Sequence, residues 1–295
     1  MSESICIDLH HLGFEGAIGS YLVPGDEPAL VDPGPSTTIE RLVEGLRAQG
    51  IGFRDLRHIV LTHIHLDHAG ASGHMAALFP EATVYVHEDG APHLVDPTRL
   101  VASTRRTFGD AHDRLWGETR AVPADRIRTW TAGDPGPRPY LRALSTPGHI
   151  AHHLAYLDER DGTLYSGDSL GIVLADGAPT HPATPPPAVD LRAWEGTLEE
   201  IRAVAPERFG AAHFGFHDDP VGRAAELASA LEALERRVRD AMSRDDMDDA
   251  FRFNSEVMAR LAPYVGEERV AAYYGTFPAV KDWEGVKFYL ERNTR

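Results

Sequence analysis

Three histidines and one aspartate fall within six residues of this 295-residue chain, in the segment THIHLDHAG at positions 62–70. The four side chains are His63, His65, Asp67 and His68. Imidazole and carboxylate groups are the ligands that zinc, iron and manganese accept in proteins. An isolated histidine is more often a surface or core residue, but this density of ligand types indicates a metal site.

Three later segments each place one more ligand-type side chain directly after a β-strand pattern. They contain His149 in TPGH, Asp168 in SGDS and His213 in AAHF. Seven such side chains are enough for two metal ions that share a bridging group. His217 competes with His213 for the last position, and we favour His213 because it follows the strand pattern directly.

The elements that must position these residues follow an alternating pattern. Short apolar runs typical of strands alternate with helical patterns through residues 1–218, which predicts an α/β fold. Strands are expected at 19–23, 29–31, 57–61, 83–86, 141–144, 153–157 and 163–166. The first ligand segment is expected to be a loop between a strand and a helix at 71–79. Such a loop can turn His63 and His65 toward one ion while Asp67 and His68 face another.

The remaining segments are predicted to surround this core. Residues 91–130 lack clear strand signals and are interpreted as an insertion with helices at 98–106 and 110–118. The proline-rich stretch 183–187 is expected to be a surface crossover, because proline cannot enter a sheet interior. Residues 219–295 are predicted to form a helical extension, which begins with one long amphipathic helix at 221–242. The chain is therefore divided into a catalytic domain at 1–218 and a C-terminal extension at 219–295.

Composition limits the partners. The net charge of −16 and the absence of a Lys/Arg run argue against nucleic acid and favour a small-molecule substrate. The chain shows no signal-peptide pattern and no stretch near the ~20 apolar residues of a membrane span. The single cysteine, Cys6, can form no internal disulfide. We therefore expect a soluble cytoplasmic protein with no membrane contact.

Four separated motifs together resemble the metallo-β-lactamase superfamily. The pattern H-x-H-x-D-H is complete at 63–68, and Asp32, Gly148-His149, Gly167-Asp168 and His213 follow the family's order over residues 5–217. This resemblance implies a four-layered αβ/βα sandwich, in which two mixed sheets pack together with helices outside.

The resemblance also implies a role for each matching residue. It assigns one metal to His63, His65 and His149, and a second metal to Asp67, His68 and His213. Asp168 would bridge two divalent ions, with zinc as the first expectation and iron or manganese as alternatives. A hydroxide would complete the bridge, and Asp67 would also orient it or accept its proton. Asp32 would fix the loop through hydrogen bonds.

Within the superfamily, the segment TPGHIAHH at 146–153 is similar to glyoxalase II-like hydrolases. His153 would then orient metal ligands without binding metal. The sequence thus predicts a metal-dependent hydrolase of a thioester or ester, with a lactonase as the alternative. Weaker hypotheses are a phosphodiesterase or ribonuclease, a sulfur dioxygenase with one iron, and a non-catalytic binding protein on the same fold. The C-terminal helices could pack on the core, form a homodimer interface or wall the substrate pocket.

Overall fold

The computed structural model describes residues 3–130, 134 and 138–293. Within these residues, eleven strands form two sheets. The six-stranded sheet has the order β1 (Ile5–Asp8), β2 (Gly19–Val23), β3 (Ala29–Val31), β4 (His58–Val60), β5 (Thr83–His87) and β6 (Ile127–Trp130). The five-stranded sheet has the order β11 (Gly215–Asp218), β10 (Arg208–Ala211), β9 (Thr163–Gly167), β8 (Leu154–Asp158) and β7 (Leu141–Ser145).

Helices flank the two sheets and continue through the C-terminal part of the described chain. They are α1 (Ile39–Ala48), α2 (Leu66–Ala69), α3 (Ser72–Leu78), α4 (Ala91–Val95), α5 (Thr98–Phe108), α6 (His112–Trp116), α7 (Leu191–Val204), α8 (Pro220–Ser243), α9 (Asp249–Val265), α10 (Glu267–Thr276) and α11 (Ala279–Asn293). The predicted α/β sandwich with a C-terminal helical extension is confirmed.

Central strands are covered on both faces, which explains their nearly continuous apolar sequences. Every residue of β2, β3, β8 and β9 is buried, as expected for strands between another sheet and a helical layer. Two tyrosines tie the sheets together near the ligand segments. The Tyr21 hydroxyl donates to the Ala211 carbonyl at 2.5 Å, and the Tyr156 hydroxyl donates to the Leu61 carbonyl at 2.8 Å.

The expectation that residues 91–130 contain no strand is wrong at the C-terminal end of that segment. The helices expected there correspond to α5 and α6, but β6 follows them and pairs in parallel with β5. Ile127 and Trp130 are buried, whereas the two residues between them are exposed. This short strand therefore carries neither a continuous apolar run nor a strict alternation.

Two further expectations need correction. The first ligand segment is not entirely a loop, because residues 66–69 form the single helical turn α2, which carries Asp67 and His68. The crossover at 183–187 does not lie wholly on the surface. Ala183 and Thr184 are buried, since α11 packs against this segment, a neighbour that the local sequence does not reveal.

The C-terminal helices share the hydrophobic core of the sheets. Helix α8, which matches the expected amphipathic helix, buries Leu227, Leu231 and Val238 in the same cluster as Leu164 of β9. Helix α8 packs on α7, and α11 packs on α8 and α9. Within the described ranges, no helix has the length and apolarity needed to cross a bilayer.

Candidate metal centre

The seven predicted ligands all follow strand ends that meet at one side of the molecule. His63 and His65 come after β4, and α2 carries the next two ligands. His149, Asp168 and His213 come after β7, β9 and β10. Strands β9 and β10 are parallel, and β7 runs in the same direction because β8 is antiparallel to both β7 and β9. Their carboxyl ends therefore lie at one edge, where α/β proteins place their sites.

One group of potential ligands converges around His65. Its Nδ1 atom lies 2.9 Å from His63 Nε2 and 2.8 Å from His149 Nε2. An oxygen of Asp168, Oδ2, lies 3.2 Å from His149 Nε2 and 3.8 Å from His63 Nε2. These four residues place their ligand atoms within 4.8 Å of one another. Three imidazole nitrogens and a carboxylate around one point match the ligand chemistry of a divalent ion.

A second group contains Asp67, His68 and His213. Asp67 Oδ2 lies 3.8 Å from His68 Nε2 and 3.6 Å from His213 Nε2. Asp168 faces this group as well, because its Oδ2 lies 3.5 Å from His68 Nε2 and its Oδ1 lies 3.5 Å from His213 Nε2. One carboxylate thus stands between both groups.

The burial of unpartnered atoms provides a test of whether these residues fit a metal. His68 Nε2 and Asp168 Oδ1 are buried and have no hydrogen-bond partner within the described part of the chain. A buried polar atom without a partner costs about 1–3 kcal/mol. A cation between the groups would satisfy both atoms, so the ligand set fits a divalent metal.

The side chains around His68 and His63 fix which nitrogen of each ring faces the site. Asp32 Oδ2 accepts hydrogen bonds from Thr62 Oγ1 at 2.6 Å and from His68 Nδ1 at 2.9 Å. Since the Thr62 hydroxyl donates to Asp32, it accepts from His63 Nδ1 at 3.1 Å. Both rings therefore carry their proton on Nδ1 and leave Nε2 free to bind metal. Asp32 holds this arrangement from a left-handed backbone conformation with φ of 51°.

His149 and His153 are also oriented through their Nδ1 atoms. His149 Nδ1 donates to the Ala183 carbonyl at 2.7 Å. His153 Nε2 accepts from the backbone N–H of Asp168 at 3.1 Å, so its Nδ1 donates to Thr146 Oγ1 at 2.7 Å. His153 is therefore neutral, and its ring contacts the backbone of Asp168, the residue whose carboxylate stands between the two groups.

The electrostatics favour neutral imidazoles at His63 and His65 and an ionised Asp168. Burial lowers the pKa of His63 and His65 well below the ordinary value, and neighbouring imidazoles lower it further. Burial alone would lower the pKa of His68, but Asp168, Asp67 and Asp32 together raise it. Burial also opposes ionisation of Asp168, yet His68 and His149 hold its pKa well below the usual range. Positive charge is thus favoured between the carboxylates.

A cavity of about 350 Å³ opens above the ligands. Its floor contains His65, Asp67, His149, Asp168 and His213. Its walls are largely apolar. The larger apolar and aromatic residues that line them are Leu66, Leu100, Phe108, Trp116, Ile150, Ile172, Pro185, Pro186, Tyr273 and Phe277. Arg99 and Lys281 add positive charge to the lining. Helix α5 covers one side, although none of its residues is fully buried.

Contacts distinguish His217 from the ligand groups and place the C-terminal helices beside them. His217 does not join the ligand groups, since Nδ1 contacts Asp176 Oδ1 at 3.1 Å and Nε2 contacts the Phe214 carbonyl at 2.9 Å. The C-terminal helices do form part of the pocket wall, in addition to packing on the core. Rings of Tyr273 and Phe277 lie 5.9 and 5.2 Å from the His213 ring.

Sequence reasoning did not identify these two aromatic residues, nor Ala183, whose carbonyl orients His149. Tyr273 and Phe277 lie four residues apart, a spacing that also describes an ordinary buried helix face. A backbone carbonyl leaves no trace in a sequence. Their places near the site therefore depend on how distant segments pack together.

Comparisons with known proteins agree with this geometry. Residues 14–213 match a family model described as the metallo-beta-lactamase superfamily. A hydroxyacylglutathione hydrolase of Cupriavidus taiwanensis is 34% identical over 145 residues, covering 48% of this chain and 44% of that protein. The chain thus spans less than half of that relative. The probable metallo-hydrolase YqjP of Bacillus subtilis is 24% identical over 311 residues, covering 95% and 92% of the two chains.

A solved structure shows the same fold over nearly the full chain. The metallo-beta-lactamase family protein TTHA1429 from Thermus thermophilus aligns with a TM-score of 0.63 and 23% identity. The alignment covers 99% of this chain and 94% of that one. The C-terminal helices are therefore included in the structural similarity.

Proposed function

The chain belongs to the metallo-beta-lactamase superfamily and is a metallo-hydrolase enzyme, and from that premise we propose that it hydrolyses a thioester or ester of a small molecule with two metal ions. The observation that carries this proposal is the pair of ligand groups that share Asp168. The second group, Asp67, His68 and His213, supplies the ligands that a second ion would need.

In this proposal His63, His65 and His149 hold one divalent ion, and Asp67, His68 and His213 hold the other. Asp168 contributes to both. Zinc is the first candidate, with iron and manganese as alternatives, because all three accept imidazole and carboxylate ligands. When bound, such ions supply Lewis acidity, which lowers the pKa of water and polarises a carbonyl oxygen.

Asp67 has a catalytic role in addition to ligation. Its carboxylate is more accessible than that of Asp168, with 14% and 3% of the two side chains exposed, and it lines the cavity floor. A carboxylate in that place orients the attacking water and accepts its proton. Asp32 and His153 act indirectly, since they hold His68 and the Asp168 backbone in place.

The cavity supports a substrate with an apolar acyl part. Leu100, Phe108, Trp116 and Phe277 surround the space above the ligands, and apolar walls favour apolar groups by about 25 cal/mol for each Å² buried. The relative named hydroxyacylglutathione hydrolase supports an acyl substrate. A lactone is the second candidate, because its ring opens when water attacks the same kind of carbonyl.

We also propose a cytoplasmic location, because a lone cysteine forms no internal disulfide.

Metal analysis combined with a substrate panel tests this function. Purified enzyme should contain two divalent ions per chain and hydrolyse thioesters or esters faster than model phosphodiesters. Chelation should abolish the activity, and added zinc should restore it. Unchanged hydrolysis of thioesters, esters and lactones after removal of both metals would overturn the proposal. One iron per chain with oxidation of a persulfide would favour the dioxygenase instead.

A further inference from the structure

A buried aspartate of the C-terminal extension forms hydrogen bonds with the start of the proline-rich crossover. Asp282 of α11 accepts hydrogen bonds from the backbone N–H of Thr184 at 2.7 Å and from His181 Nε2 at 2.8 Å. The Thr184 hydroxyl donates to the Asp282 carbonyl at 3.1 Å. Both His181 and Thr184 are fully buried. Three hydrogen bonds fix this segment against α11.

The segment that Asp282 holds also contacts the metal centre. Ala183 lies between the two residues that contact Asp282, and its carbonyl accepts the hydrogen bond from His149 Nδ1 at 2.7 Å. In the described residues, no other hydrogen-bond partner of that nitrogen is observed. The position of this carbonyl therefore determines which nitrogen of the His149 ring faces the ligand group.

Close packing between the backbones of α11 and the crossover is independent evidence that the position of the crossover is fixed. A Cβ atom added at Gly285 of α11 would overlap the Thr184 carbonyl oxygen and would crowd Pro185. Only glycine lets the helix approach the crossover this closely. Farther along α11, Arg292 donates to the carbonyls of Pro187 and Val189 at 3.4 and 3.0 Å. The helix thus contacts the crossover along its length.

We infer that Asp282 is a positioning residue for the metal centre, because it fixes the Ala183 carbonyl that orients His149. The inference rests on the proposed binding of metal by His149. It gives the C-terminal extension a role at the ligands themselves, beyond lining the pocket.

Other contacts hold the backbone of His149. Gly148 has a φ of 146° and lies against Trp194 of α7 so closely that a Cβ atom would overlap that side chain. The Gly148 carbonyl accepts from Asp190 N at 2.8 Å. The Trp194 ring also lies edge-on to the His149 ring at 6.0 Å, but an indole offers no acceptor to Nδ1. The Ala183 carbonyl, and therefore Asp282, thus fixes which nitrogen of His149 faces the ligand group.

Metal affinity measured by competition with a chromophoric chelator tests the inference. Asp282→Asn retains an acceptor for Thr184 but replaces the carboxylate oxygen that accepts from His181 with an amide donor. We expect one of the two bound zinc ions to dissociate about 10-fold more readily, the lower end of the range for loss of a group that orients a ligand. In a His149→Ala background the same substitution should leave the affinity of the remaining ion unchanged.

A glycine pair provides the matched control. Gly285→Ala pushes the crossover away while Asp282 stays intact, so it should weaken the same ion. Gly275→Ala in α10 faces open space and should leave both affinities at the wild-type value. Circular dichroism and thermal unfolding show that the variants compared are folded.

Two results would overturn the inference. One is an unchanged affinity for both ions in Asp282→Asn and Gly285→Ala. The other is an equal loss with and without the His149→Ala substitution, which would mean general loosening. A wild-type protein that binds no divalent metal would instead refute the proposed function.

Discussion

His213 and His217 lie four residues apart in the chain, yet they have different surroundings. His213 faces the carboxylates of Asp67 and Asp168, whereas His217 contacts Asp176. At the scale of single residues, this difference decides which imidazole completes the second group of ligands.

We predict that His213→Gln removes one of two metal ions and that His217→Gln retains both. Loss of a ligand beside the proposed base Asp67 should lower kcat by more than about 100-fold, because general-base catalysis alone contributes about 10²–10⁴-fold. Elemental analysis and steady-state kinetics on the two variants measure this contrast. Two metals in His213→Gln, or one in His217→Gln, would contradict the assignment.

The candidate ligands could be predicted from sequence because each belongs to a local pattern at a strand end. The groups that orient them could be predicted only in part. Asp32 and His153 lie in such patterns, and both make contacts that fit their expected roles. Asp282 is separated from His149 by more than a hundred residues, and its partners are backbone groups and one distant histidine, so no local pattern indicates it.

At the scale of elements, the cavity wall is assembled from α5, α6, the crossover and the C-terminal helices. Phe277 sits where these pieces meet, beside Trp116 and His213. Its ring is half-buried and lines the cavity, which makes it a contact for an apolar acyl group.

We predict that Phe277→Ala lowers kcat/KM for a C8 acyl ester by about 10-fold, since loss of part of an aromatic contact costs about 1–2 kcal/mol. The value for a C2 ester should change less than about threefold. Phe251→Ala on α9 is the control, because that ring is 65% exposed and does not line the cavity. An equal effect on both esters, with full metal content, would argue against an acyl contact.

A charged network joins α8 to α9. Arg237 donates to Asp249 at 2.7 and 2.9 Å and also pairs with Glu256. Hydrogen bonds from Arg237 hold the pKa values of both carboxyls below their usual range. A lowered carboxyl pKa stabilises the folded state above the unfolded pKa of about 4, and this contribution is lost as pH falls through the folded pKa.

Arg237→Met should therefore lower the free energy of unfolding by roughly 1 kcal/mol at pH 7, as expected for a partly exposed pair. The difference from wild type should shrink as pH falls below about 4. Urea unfolding across pH checks this trend. Arg239→Met is the control, because Arg239 pairs with Glu235 of its own helix. A constant difference across pH would show that Arg237 acts through packing alone.

Long elements were easier to predict than short ones. Helix α8 shows a repeated apolar face over its length, and the predicted range 221–242 nearly reaches both of its ends. Strands β1, β6 and β11 are not among the strands that the sequence predicts, and each has four residues of mixed burial. Such edge positions face solvent in part, so their sequences carry little periodicity.

At the scale of the whole molecule, the boundary proposed at residue 218 crosses a shared core. Side chains of α8, α9 and α11 belong to the same hydrophobic cluster as those of both sheets. The sequence predicts that the last segment is helical but not where its apolar face packs, because that depends on surfaces built by distant residues.

Calorimetry of the metal-free enzyme should consequently show one unfolding transition, because separating the extension from the sheets would expose a common core. The calorimetric and van't Hoff enthalpies should agree. Two resolved transitions would indicate that residues 219–295 unfold as an independent domain.

Helix α5 covers the cavity without a single fully buried residue. Substitutions on a helix that contributes so little to the core have small effects on folding. The ligands lie on the cavity floor and follow strand ends. Substrate preference can therefore diverge through changes in this one helix while the fold and the reaction are inherited intact.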